Sequence, residues 1–213
     1  MNQAGIITID GPGGSGKSTV AARVAEQLGY AHLDSGAVYR ALTSWAIAQG
    51  RWDEAELAGL VQDGSLAMTW GKVVLHERDL TKAIRTPEVS AQVYRVADMP
   101  RVRKAVNAFL RDLAARRPSV AEGRDMGTEA FPEAPLKVYL DAHPEERARR
   151  RANQGTGETP EALAERVRRE LGRKVGGLRP AADALEIDAT DLTPEAVVER
   201  ILVAAADRGL GHA

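Results

Sequence analysis

Short, nearly continuous apolar runs alternate along the chain with amphipathic stretches, and that alternation predicts the layout. Gly5-Ile6-Ile7-Thr8-Ile9-Asp10 is apolar on both faces and mostly β-branched, which predicts a strand covered from both sides. Residues 18–28 put Val20, Ala21, Val24, Ala25 and Leu28 on one stripe, with Gly29 as a stop, the pattern of a helix laid on a sheet. Ala31-His32-Leu33, Ser119-Val120-Ala121-Glu122, Leu136-Lys137-Val138-Tyr139-Leu140 and Ala184-Leu185-Glu186-Ile187-Asp188 predict further short strands. After the last of these, Thr193-Pro194-Glu195 supplies an N-cap, a first-turn proline and a dipole-favoured acid, opening a final helix. Strands alternating with helices imply an α/β protein with a parallel sheet covered on both faces.

Two regions break the alternation. Residues 66–84, with Leu66-Ala67-Met68-Thr69-Trp70, Gly71 and Lys72-Val73-Val74-Leu75-His76, predict a small antiparallel hairpin inserted among helices. Residues 145–174 hold nine Arg/Lys and six Glu, with a Gly155-Thr156-Gly157 break between arginine clusters. By composition alone this is a solvated helical hairpin, and it becomes an arginine-bearing lid only if a polyphosphate is expected nearby.

Composition narrows the chemistry. With 213 residues, 44% of them hydrophobic, the chain is long enough for one domain with a real core. Its 29 Lys+Arg against 30 Asp+Glu give a formal net charge of −1, which argues against a generally basic nucleic-acid binder. There is no cysteine, so disulfides, thiolate metal sites and cysteine nucleophiles are excluded, and four scattered histidines do not suggest a histidine-rich metal site. No apolar run approaches the roughly 18 residues that span a bilayer. The first residues lack a basic segment ahead of an apolar one, so a soluble cytoplasmic protein is expected.

The reason to expect phosphate lies near the N-terminus. Gly11-Pro12-Gly13-Gly14-Ser15-Gly16-Lys17-Ser18 satisfies G-x-x-x-x-G-K-[ST], is followed by Thr19, and stands between the first strand and the first helix. Glycines let successive N–H groups turn inward as an anion nest, and the helix directs its positive end to the same place. Lys17 adds a point charge for the β- and γ-phosphates, and Ser18 offers a hydroxyl to Mg2+. A GTPase would need an N/T-K-x-D element, but Thr81-Lys82-Ala83-Ile84 lacks its aspartate. A mechanical ATPase would need a strand ending in Asp-Glu, and Val138-Tyr139-Leu140 ends in Asp141-Ala142. A small-molecule kinase remains, with an acceptor site beyond the carboxyl ends of the strands. Two arginine-bearing clusters are expected there: Asp34-Ser35-Gly36-Ala37-Val38-Tyr39-Arg40 and Glu122-Gly123-Arg124-Asp125-Met126-Gly127-Thr128.

These stretches, together with Ile84-Arg85-Thr86-Pro87-Glu88-Val89, Pro100-Arg101-Val102-Arg103 and Ala182-Asp183-Ala184-Leu185, resemble the bacterial cytidylate (CMP/dCMP) kinases, relatives of the adenylate kinases. The resemblance implies a P-loop kinase fold: a five-stranded parallel sheet flanked by helices, with a small β insertion and a helical lid. It implies one kinase domain with a core at 1–40, 105–144 and 180–213, a monophosphate-binding part at about 41–104 carrying the insertion at 66–84, and a lid at about 145–174. It further implies transfer of the γ-phosphoryl group of ATP to CMP, and to dCMP, with Mg2+; with nothing in the sequence suggesting an obligate interface, a monomer that binds neither nucleic acid nor membrane is the default expectation. Another P-loop small-molecule kinase, or a nucleotide-binding switch, is the alternative.

By the same resemblance, Arg40 and Arg124 hold the acceptor phosphate and Asp34 and Ser35 line its pocket. Asp125 accepts from the cytosine amino group while Arg103 donates to the ring acceptors, chemistry that suits cytosine and disfavours uracil. Glu122 stands where many relatives carry Asp, and with Ser18 serves Mg2+. In the lid, anchoring on Pro180 gives Arg166 and Arg173 catalytic roles with Glu170 between them. Anchoring instead on Arg169-Glu170 puts Arg173 at the acceptor ribose.

Overall fold

The structure, a computed structural model, describes residues 5–69, 72–153, 159–172 and 176–212. Two compact units divide the chain, one formed by residues 1–32 and 114–213, the other by residues 33–113.

The first unit is built on the run that the sequence marks most strongly. β1 (Ile6–Asp10) is buried along its whole length and pairs in parallel with β6 (Ser119–Gly123) and β7 (Leu136–Asp141), while β8 (Leu185–Asp188) pairs in parallel with β7. β2 (Ala31–Asp34) completes the sheet in the order β2-β6-β1-β7-β8, so the five expected strands form one sheet. α1 (Lys17–Leu28) lays Val20, Ala21, Val24, Ala25 and Leu28 against it, in a core shared with Ile7, Ile9, Val138 and Ile201. Each large aliphatic side chain so buried contributes about 1.5–3 kcal/mol before entropy is counted. Gly29 ends α1 in the left-handed conformation (φ 69°), its N–H reaching back to the carbonyls of Ala25 and Glu26. At the chain's far end Thr193 caps α8 (Pro194–Ala206) by accepting from Ala196 N at 3.2 Å. The charged segment forms α6 (Pro144–Asn153) and α7 (Pro160–Leu171); the Gly155-Thr156-Gly157 break lies outside the described residues.

The second unit holds α2 (Ser35–Gln49), α3 (Glu54–Gln62), α4 (Pro87–Ala97) and α5 (Pro100–Ala114). Its β element is not a two-stranded hairpin. β3 (Leu66–Thr69) and β4 (Lys72–Leu75) pair antiparallel as expected, and β5 (Arg78–Asp79) adds a third strand along β4. Two exposed residues carry no alternation of apolar and polar positions, so the pattern could not reveal β5. On β3 the alternation is plain: Leu66 and Met68 are buried, Ala67 and Thr69 exposed. Among the described residues, no helix is long and apolar enough to cross a membrane.

Candidate active site

β1 enters the loop at residues 11–16 and α1 leaves it, with Lys17 as its first residue. Gly14 (φ 82°) and Gly16 (φ 96°) hold left-handed conformations there. A Cβ on Gly14 would lie 2.5 Å from the Arg147 carbonyl oxygen, and one on Gly11 would collide with the Leu140 carbonyl. The loop therefore excludes side chains at both positions and leaves main-chain N–H groups to face a ligand. Ser15 Oγ is buried and has no hydrogen-bond partner among the described residues, an orphaned donor that a phosphate oxygen would satisfy.

Charge gathers around this loop. Lys17 Nζ donates to Pro12 O at 3.2 Å. Burial first, and then Arg124, push its pKa down to about 7, with Glu122 and Glu170 pulling the other way. Arg124 donates through Nε to Glu170 Oε2 at 2.7 Å and through Nη1 to Gly11 O at 2.9 Å. Burial works against its charge, but Glu170 more than offsets this and lifts its pKa above the ordinary value. Glu170 lies deep on α7; burial would raise its pKa, and Arg124 holds it below the usual carboxylate range. One turn earlier, Arg166 stands against the glycine loop, where its guanidinium occupies the place of a Gly13 side chain. Arg173 and Lys174 lie outside the described residues.

Ser18 and Glu122 also come together. Ser18 Oγ donates to Glu122 Oε2 at 2.6 Å, and His32 Nε2 lies 3.0 Å from the other oxygen, Oε1. Burial would raise the Glu122 pKa, but His32, Lys17 and Ser18 together hold it below the usual range. A hydroxyl and an ionised carboxylate are hard oxygen donors, which suits Mg2+. Among the described residues no group of three or more His, Asp or Glu could hold a metal by itself. An ion here would take its remaining ligands from phosphate and water, as Mg2+ commonly does.

Asp125 is buried just ahead of a single π turn, Met126–Ala130. The local geometry depends on Asp10, a residue to which the motifs assign no role. Asp10 Oδ1 accepts from Met126 N at 2.8 Å and Oδ2 from Gly127 N at 2.7 Å, so the last residue of β1 clamps the backbone just beyond Asp125. Burial pushes the Asp10 carboxyl up to about 7 in spite of both N–H groups.

The other expected residues belong to the second unit. Asp34 caps α2, accepting from Ala37 N at 2.9 Å, and its second oxygen faces Arg85 Nη2 at 3.3 Å. Ser35 is the buried first residue of α2, so Arg40 is carried on a helix and not on a loop; its guanidinium lies over Gly36. Arg103 is buried on α5, donating to Ala97 O at 3.1 Å.

A cavity of about 490 Å³ adjoins the glycine loop in the first unit, lined by Gly14, Ser15, Gly16, Thr19 and Val20, by Arg149, Arg150 and Asn153 of α6, and by residues 189–194. Arg150 ties these walls together, donating to Ser15 O at 3.0 Å and to Ala189 O at 2.6 Å. The sequence marks α6 only as part of an arginine-rich segment; it does not reveal Arg150 as a cavity tie, because these partners are 135 and 39 positions away.

A glycine cradle, a buried lysine at a helix start and a serine–carboxylate pair beside it define a P-loop nucleotide-binding protein of the kinase type. The comparisons carry this to a family. Residues 7–207 match the family model described as cytidylate kinase. The chain is 42% identical to a cytidylate kinase of Rhodopirellula baltica, over 92% of this chain and 90% of that one, and 43% identical to that of Stutzerimonas stutzeri, over 96% of each. It is 41% identical to part of a bifunctional pantoate ligase/cytidylate kinase of Synechococcus elongatus, covering 97% of this chain and 43% of that protein. The chain belongs to the cytidylate kinase family. Among solved structures it is similar in fold to a gluconokinase of Sinorhizobium meliloti (TM-score 0.52, 16% identity, 97% of this chain and 94% of that one). A shikimate kinase of Acinetobacter baumannii is similar too (TM-score 0.50, 17% identity, 96% and 94%).

Proposed function

We propose that the protein transfers the γ-phosphoryl group of ATP to CMP, and to dCMP, giving ADP and the nucleoside diphosphate. The observation that carries this reading is the family match over residues 7–207, joined to a loop whose lysine and serine stand beside half-buried Arg124 and buried Glu122. The ATP polyphosphate lies in the cradle of Gly11, Pro12, Gly13, Gly14, Ser15, Gly16, Lys17, Ser18 and Thr19. Its nucleoside occupies the 490 Å³ cavity, a volume in the range of small-molecule sites.

Phosphoryl transfer needs placement and charge more than covalent help from the protein. Lys17 neutralises the transferring group and the bridging oxygen. Arg124, oriented by Glu170, and Arg40 grip the acceptor phosphate in the bidentate manner guanidinium favours. Asp34 and Ser35 line the acceptor's surroundings, Asp125 accepts from the cytosine amino group, and Arg103 donates to its ring acceptors. Arg166, standing against Gly13, screens charge that builds on the γ-phosphoryl oxygens, and Arg173 is assigned to the same lid. Ser18 and Glu122 would hold Mg2+, which when bound neutralises the β- and γ-phosphate oxygens. We further infer a cytoplasmic monomer acting on free nucleotides.

A coupled assay across nucleoside monophosphates tests the reading. ATP consumption with CMP should exceed that with UMP or AMP by at least about 10²-fold, since a buried carboxylate would face the uracil carbonyl. Equal rates on UMP, or no turnover with CMP, overturn it.

A further inference from the structure

We propose that His32 is a positioning residue for magnesium: its Nε2–H fixes the Glu122 carboxylate in the plane that Ser18 and the nucleotide-bound cation require. The proposal rests on reading Ser18 and Glu122 as the magnesium site.

His32 lies on β2, next to β6 in the sheet, and Glu122 is on β6. The Glu122 side chain is 2% exposed and that of His32 19%, so the contact at 3.0 Å is formed largely out of water. An ionised carboxylate only accepts, so Nε2 is the atom that carries the hydrogen. Each Glu122 oxygen then has a donor of its own: the Ser18 hydroxyl on Oε2 at 2.6 Å and the imidazole on Oε1.

Two anchors on opposite oxygens stop the carboxylate from turning about its last bond; one anchor does not. Orientation matters here because the Ser18 hydrogen must point at Glu122 for its lone pairs to face a cation. Any metal-bound water must find the same carboxylate as acceptor, and such outer partners tune metal affinity strongly. The role asks for no change of protonation, since Nε2–H donates in the neutral ring and in the imidazolium alike. A histidine that merely fills space at this place would do none of this, and leucine would serve as well.

His32→Leu and His32→Gln separate the two roles, because the Gln amide can place an N–H near the position of Nε2 while Leu cannot. The measurements are the Mg2+ concentration for half-maximal turnover and ADP binding by calorimetry, with Mg2+ and with EDTA. His32→Leu should raise the Mg2+ requirement about tenfold and remove a similar factor from the gain in ADP affinity that Mg2+ gives. ADP affinity in EDTA and KM for CMP should stay near wild type, and His32→Gln should return the Mg2+ requirement to within roughly threefold. An unaltered Mg2+ dependence in His32→Leu overturns the proposal, as does an equal loss in EDTA that Gln fails to repair. Wild-type ADP binding indifferent to Mg2+ would overturn both this proposal and the magnesium site it rests on.

Discussion

Around the glycine loop, main-chain groups and buried partners hold the charged side chains: Lys17 on Pro12 O, Arg124 on Gly11 O, Asp10 on the N–H groups of Met126 and Gly127. Along the outer face of α7, charge is held by a neighbour on the same helix, Glu165 with Arg168. The first kind of anchorage fixes a charge relative to the fold, at the cost of desolvation. The second fixes it only relative to its own helix, in water, where an ion pair contributes little. A charge is placed relative to the fold where the backbone, or a buried side chain of another element, supplies the partner.

The largest test of that contrast is Lys17→Ala, which should lower kcat by about 10²–10³-fold, read as steady-state turnover with CMP. A loss of less than tenfold would remove the loop from the centre of the chemistry. Next comes Glu170, the residue through which α7 joins the anchored region. Glu170→Ala leaves the half-buried Arg124 guanidinium without its carboxylate and should cost about 1–3 kcal/mol in denaturant unfolding.

Asp10 sharpens the comparison through pH. Its folded pKa of about 7 lies above the ordinary 3.8, so its contribution to stability is full below the ordinary value and fades as pH rises toward 7. The stability advantage of wild type over Asp10→Asn, from urea unfolding, should be larger near pH 5 than near pH 8. At the small end, Glu165→Gln on the exposed face of α7 should change stability by no more than about 0.5 kcal/mol. A larger effect there would erase the distinction between the two regions.

Features written in consecutive residues were legible in advance. The strand, glycine loop and helix at residues 6–28 follow from apolar pattern and motif, and all five strands of the main sheet stand where the apolar runs lie. The string Thr-Pro-Glu announces α8, and the same string at residues 86–88 and 159–161 opens α4 and α7, with Thr86 and Thr159 as caps. Features made by distant residues were not legible. The Asp10 clamp joins positions 116 and 117 apart, whereas the Ser18–Glu122 pair, 104 positions apart, was expected only through the family resemblance. Arg40 illustrates the intermediate case: Asp34 reads as a pocket residue, while its cap on Ala37 makes helix out of the residues that follow.

The Arg150 tie also constrains how the protein comes into being. The glycine turn closes by residue 18, yet the cavity beside it takes walls from α6, from residues 189–194 and from Val197. A growing chain on the ribosome thus displays the loop well before α6, and has no walled seat for a nucleoside until residue 197 has emerged. Trimming β8, the turn after it and α8 would leave a phosphate cradle with no wall to hold a base.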